Sequence, residues 1–192
     1  NEHINITANG TRTQFARDVA NVTMDIDGVE NIQFNAMGGA DNITVGDLTG
    51  TSVTQVALDL SATPGAGIGD GATDRVTVAG TAGNDQIEVA AVGISAVVSG
   101  LAAQIAINGA DANDALTIGA GGGSDTVTVN DLTGAGVKRV AIDLGVNGST
   151  DGASDTVIVN GTAGNDTIKV SNNNGIITVA GLAETVTLAN FE

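Results

Sequence analysis

The chain has no cysteine, no tryptophan and no tyrosine, and among its 192 residues there are only three phenylalanines, one histidine and one proline. Without cysteine there is no disulfide, no thiolate metal site and no cysteine nucleophile. The lone histidine, His3, sits at the chain's start, which argues against a Ser-His-Asp triad and against a His-rich zinc centre. Cationic side chains are scarce: six Lys and Arg face 22 Asp and Glu, for a net charge of −16. Such a chain repels phosphate backbones, so nucleic acid is not an expected partner. No stretch of about 18 consecutive apolar residues occurs, so no membrane-spanning helix is expected. The opening Asn1-Glu2-His3 has neither an initiator methionine nor a signal peptide, and reads as part of a longer polypeptide.

What is abundant is small. Hydrophobic residues make up 42% of the chain, almost all Val, Ile, Leu and Ala, beside 28 glycines. That suffices for a core, but a narrow one without large aromatic fillers. A repeated word organises it: an acidic residue followed by alternating apolar positions, D-x-U-x-U, with U standing for Val, Ile, Leu or Phe. It begins at Asp41, Asp74, Asp85, Asp114, Asp125, Asp155 and Asp166, and with glutamate at Glu2 and Glu30. Short steps of 11 residues alternate with steps of about 30. Asp41 to Asp85 is 44 residues, Asp85 to Asp125 is 40 and Asp125 to Asp166 is 41. The unit is therefore about 41 residues, dividing one solenoid domain, 1–192, at about 1–40, 41–84, 85–124, 125–165 and 166–192. Other echoes double the period: GDLTG at 46–50 and NDLTG at 130–134, VALDL and VAIDL at 56–60 and 140–144, GLA at 100–102 and 181–183.

Period-2 alternation, β-branched residues and turn-forming gaps read as strands throughout. The fixed period favours a right-handed parallel β-helix or β-roll solenoid, all-β, with like positions stacked from coil to coil. Two coils of about 20 residues per unit is the preferred count, and one wide coil the alternative. An antiparallel sandwich competes, since TVTVNDLTG or IKVSNNNGIITV also reads as a hairpin. Stacking places Val76, Val78, Ile87, Val89, Leu116, Ile118, Val127, Val129, Val157, Val159, Ile168 and Val170 inward. It places Asp41, Asp85, Asp125 and Asp166 in one column along the axis.

The candidate chemistry lies in the turns before these strands. Segments such as AMGGAD (36–41), GDGATD (69–74), GTAGND (80–85), GADAND (109–114), AGGGSD (120–125), TDGASD (150–155) and GTAGND (161–166) are small-residue turns ending in Asp. Turns of this type offer backbone carbonyls and a carboxylate, the all-oxygen set that calcium takes at about 2.3–2.6 Å. GTAGNDQIEV and GTAGNDTIKV resemble the hemolysin-type, or RTX, calcium-binding nonapeptide repeat G-G-x-G-x-D-x-U-x. The resemblance implies a parallel β-roll with calcium between successive turns, in a secreted bacterial protein. Position by position it makes Asp85 and Asp166 carboxylate ligands, with Gly80, Ala82, Gly83, Gly161, Ala163 and Gly164 supplying the turn. Asp125, Asp41, Asp114, Asp155 and Asp74 are weaker matches. Family words recur every nine residues, whereas here the steps are 11 and about 30.

The expected function is a calcium-binding, calcium-stabilised structural or adhesive segment of a large secreted or cell-surface bacterial protein. Its partners would be calcium, flanking domains of the same polypeptide and an unidentified surface or carbohydrate ligand. The alternative is a metal-free solenoid spacer, in which the Asp residues only bind turn backbones. Asp25, Asp59 and Asp143 read as loop caps; Asp70, Asp111 and Asp151 are candidate extra ligands. An outward threonine row, Thr44, Thr77, Thr117 and Thr128, is simply favoured on exposed strands. An enzyme is not expected, because Arg12, Arg17, Arg75, Lys138, Arg139 and Lys169 are scattered rather than gathered beside carboxylates.

Overall fold

A computed structural model describes residues 1–192. Seventeen strands follow one another: β1 (His3–Asn9), β2 (Arg12–Arg17), β3 (Val22–Ile26), β4 (Asn31–Asn35), β5 (Asn42–Val45), β6 (Gln55–Asp59), β7 (Arg75–Ala79), β8 (Gln86–Val92), β9 (Ser95–Ser99), β10 (Gln104–Asn108), β11 (Ala115–Gly119), β12 (Thr126–Val129), β13 (Arg139–Asp143), β14 (Thr156–Val159), β15 (Lys169–Asn173), β16 (Ile176–Ala180) and β17 (Thr185–Ala189). The only helical segment is a 3₁₀ turn at Val19–Asn21. The expectation of an all-β chain holds.

The strands form two sheets. The longer runs β15-β16-β17-β13-β11-β7-β5-β1-β2-β3, and the shorter β14-β12-β8-β9-β10-β6-β4. From β3 to β8, and again from β10 to β15, successive strands alternate between the sheets. The 11-residue step is that crossing: a five-residue word and a six-residue turn carry the chain from Asp74 before β7 to Asp85 before β8, and from Asp114 before β11 to Asp125 before β12.

Pairing is mixed rather than wholly parallel. Strands β1, β5, β7, β11, β13 and β17 pair in parallel, as do β4, β6 and β10, and β8, β12 and β14. Three antiparallel meanders interrupt them: β1-β2-β3, β8-β9-β10 and β15-β16-β17. The IKVSNNNGIITV hairpin is real, and forms β15 and β16. Two further hairpins turn at Gly10 and Gly93, both at positive φ. Parallel neighbours lie 33 residues apart at Asn42↔Arg75 and 40 at Arg75↔Ala115. Twenty-residue coils are therefore replaced by wider circuits through both sheets, some lengthened by a meander.

Inward side chains align across the pairs. One row of the long sheet is Ile4, Ile43, Val76, Leu116, Val140 and Val186; the next is Ile6, Val45, Val78, Ile118, Ile142 and Leu188. A row of the short sheet is Ile32, Val56, Ile105, Val98, Val89, Val129 and Val159. Nearly all are buried in one hydrophobic cluster. Burying each such side chain is worth about 1.5–3 kcal/mol, so the rows are the main stabilising feature. The expected inward set is buried from Val76 through Val129, but Val157 and Val159 are only half-buried, and Ile168 and Val170 are 46% and 67% exposed. Val157 and Val159 lie on β14 and Val170 on β15, the edge strands of the two sheets, so no further strand pairs beside them.

Candidate functional site: the acidic turn columns

Each D-x-U-x-U strand begins with a backbone N–H that has to find an acceptor. For five of them the acceptor is the carboxylate of the matching residue one circuit on, whereas Asp114 N–H donates to the Asp111 carbonyl oxygen. At the starts of the long-sheet strands, Glu2 N–H donates to Asp41 Oδ1 (2.6 Å), Asp41 N–H to Asp74 Oδ1 (2.8 Å) and Asp74 N–H to Asp114 Oδ1 (2.8 Å). At the starts of the short-sheet strands, Asp85 N–H donates to Asp125 Oδ1 (2.8 Å) and Asp125 N–H to Asp155 Oδ1 (2.9 Å). The expected single column of Asp41, Asp85, Asp125 and Asp166 is thus two columns. The 41-residue sum skips every second acid, and so joins residues that start strands in different sheets.

The RTX-like turns close on themselves. Thr81 N–H donates to Asp85 Oδ2 (2.6 Å) and its hydroxyl to Oδ1 (3.1 Å). In the second copy Thr162 N–H reaches Asp166 Oδ2 (2.9 Å) and its hydroxyl Oδ1 (2.7 Å). Threonine stands where the nonapeptide has its second glycine, and occupies both carboxylate oxygens. Next to these turns, Gly121 has φ +95°, and a Cβ there would lie 1.9 Å from the Thr81 carbonyl oxygen. Only glycine permits that approach.

The loop acids form further rungs. Asp70 accepts from Gly39 and Ala72, Asp111 from Gly71 and Asn113, Asp151 from Gly123 and Ala153, and Glu192 from Gly152. Asp59 and Asp143 cap the loops after their strands, through Ser61, Gly65 and Gly145 N–H groups, while Asp25 pairs with Arg12. Thr44, Thr77, Thr117 and Thr128 lie on outward, half-buried positions.

Burial dominates the electrostatics. Asp41, Asp74, Asp114 and Asp125 are at most 3% exposed. Desolvation pushes the Asp74 carboxyl up to about 7, and shifts Asp41, Asp114 and Asp125 upward too, against the lowering effect of the N–H groups they accept. Asp41 Oδ2, Asp125 Oδ2, Asp155 Oδ2 and Glu184 Oε1 are buried without a hydrogen-bond partner. A buried, unpartnered carboxylate oxygen has to be met by a proton or a cation. By this criterion Asp41, Asp125 and Asp155 suit a hard cation better than Asp85 and Asp166, whose oxygens are already used. Asp155 also forms a group with Asp151 and Glu192, their nearest oxygens all within 4.8 Å of one another.

Two of these acids escape the sequence reading. Glu184 opens ETVTL, a D-x-U-x-U word with glutamate, before β17; it is 2% exposed and its carboxyl is pushed up by burial. The signal was available, since Glu2 and Glu30 carry the same substitution. Glu192 has no strand after it, so no pattern marks it.

Fold and site together define a class: an all-β chain of two mixed sheets whose strand-starting acids hydrogen-bond from circuit to circuit. No helix is long and apolar enough to cross a membrane. Set against protein-family models, curated proteins and solved structures, the chain matches none of them.

Proposed function

We propose that this chain is a structural segment, a β-solenoid of stacked units, right-handed as parallel crossovers are, whose acidic turn columns take up calcium. The observation that carries the reading is the set of buried, unpartnered oxygens on Asp41, Asp125 and Asp155 in a chain of net charge −16. Like charges stacked at strand spacing, about 4.8 Å, repel unless neutralised. The favoured ligands are Asp125 and Asp155 with Asp151 and Glu192 beside them, then Asp41 with Asp74 and Asp114. Asp85 and Asp166, with the carbonyls of Gly80–Gly83 and Gly161–Gly164, come after these. Irregular all-oxygen sites suit calcium over magnesium, and bind in the range of extracellular modules, about 10⁻⁴–10⁻³ M. The same reading puts the parent outside the cell or on a bacterial surface, in a structural or adhesive role.

The test is a melting experiment on metal-stripped protein. At a hundredfold excess over its dissociation constant, calcium that binds only the folded form adds about 2.7 kcal/mol, and Asp155→Asn removes part of the gain. A metal-free spacer is the second reading, favoured by the hydrogen-bond columns, which close without an ion. An identical melting temperature in EDTA and at that hundredfold calcium excess, with no heat in a calorimetric titration, leaves only that spacer.

A further inference from the structure

The three meanders occupy equivalent places in the repeat, and this equivalence isolates β15. Aligned by pairing, Ile6↔Phe15↔Met24 matches Val89↔Val98↔Ile105 and Val170↔Val179↔Val186. The first strand of each meander therefore has one remaining edge. On β1 it is covered by β5, with Ile4↔Ile43 and Ile6↔Val45. On β8 it is covered by β12, with Ile87↔Val127 and Val89↔Val129. On β15 it is bare. Ile168 and Val170 are 46% and 67% exposed, where Ile4, Ile6, Ile87 and Val89 are at most 1% exposed. Every residue of β15 is exposed, and β14 beside it on the short sheet is also an edge. The other end of the stack differs. There Phe15, in the place of Val98 and Val179, is 7% exposed and lies against Phe34 at 5.8 Å between ring centroids.

We propose that the β14–β15 end is a docking edge for one further unit of this chain's own repeat, whose Asp-led strand pairs in parallel with β15 as β5 does with β1. Two internal pairings fix the direction, the register and the side chains: an apolar residue beside Ile168, another beside Val170, and an acid before them. A second copy stacked head to tail does not meet this need. The long sheet has three more strands than the short one, and would hold β14 and the next copy's β4 apart. Glu192 stands where Glu30 and Asp111 stand, four residues past Leu188 as they are past Ile26 and Ile107, so a segment that follows either of them, such as residues 31–79, supplies the added unit. The inference rests on the stacking of like units and not on calcium, so its test and the calcium titration fail independently.

The experiment appends a copy of residues 31–79 directly after Glu192 and follows amide hydrogen exchange in the 192-residue and extended chains. In the 192-residue chain, β15 exchanges faster than β1 and β8. In the extended chain, the β15 amides slow at least about tenfold and the melting temperature rises. Val170→Asp leaves the 192-residue chain nearly unchanged, because that side chain is exposed, but abolishes both gains in the extended chain. The proposal is overturned if the extended chain fails to fold cooperatively, or if β15 exchanges equally fast in both. It is also overturned if the 192-residue chain protects β15 by dimerising at rising concentration, which would assign the edge to self-pairing.

Discussion

The Asp74 carboxyl is 1% exposed, accepts the Asp41 N–H, and is pushed by burial up to about 7. An unfolded aspartate titrates near 3.9. Between roughly pH 4 and 7 the folded chain therefore holds a proton that the unfolded chain gives up. The associated stability is fully present below about 4 and is lost as pH rises through about 7. Asp41, Asp114, Asp125 and Glu184 shift the same way. Asp18 opposes them, because the N–H of His3 holds its carboxyl down to about 2; its contribution is present above about 4 and is lost only in strong acid. In metal-free buffer the urea midpoint should thus be higher at pH 5 than at pH 8. Asp74→Asn keeps an acceptor oxygen for Asp41 while removing the charge, so it should flatten that slope; a slope unchanged by Asp74→Asn rules Asp74 out as its source. Calcium should compensate most at pH 8, where the column is ionised.

At the scale of strands, much was legible and a specific part was not. The D-x-U-x-U words became strands, and their apolar positions face inward from Val76 to Val129, because alternation fixes which face a residue lies on. Alternation does not fix pairing direction, since parallel and antiparallel neighbours both place like faces together. The meanders were therefore hidden, except where Asn172-Asn173-Asn174-Gly175 marked one turn. The repeated GLA also had a cause that only coordinates reveal. At Gly100 and Gly181, φ is +93° and +103°, and a Cβ would meet the Gln86 carbonyl oxygen at 1.8 Å and the Thr167 carbonyl oxygen at 2.1 Å. Gly100→Ala should destabilise by at least about 1–3 kcal/mol from backbone strain alone, read as a lower denaturant midpoint at unchanged slope. The same midpoint for variant and parent would mean that the β9–β10 connection relaxes freely. Val129→Asp, at a fully buried position in the short-sheet row, should cost several kcal/mol. An unchanged melting temperature for that variant would contradict the observed register.

At the scale of the molecule, circuits touch mainly their neighbours, so stability is expected to grow with the number of stacked units. The meanders give the stack an unusual pair of ends. Neither terminal strand lies at an edge: β1 and β17 are each third from an edge of the long sheet, and the edges themselves are β3 and β15. The termini are anchored as well, with the Asn1 side chain accepting the Ala40 N–H, Phe191 packed against the core and Glu192 holding Gly152. A frayed edge strand therefore opens a closed loop, not a loose tail, and the entropy gained by opening it is small. An endoprotease should make its first cut at the exposed Asn174–Gly175 tip of the β15–β16 hairpin, leaving two fragments that stay associated until the stack itself is denatured.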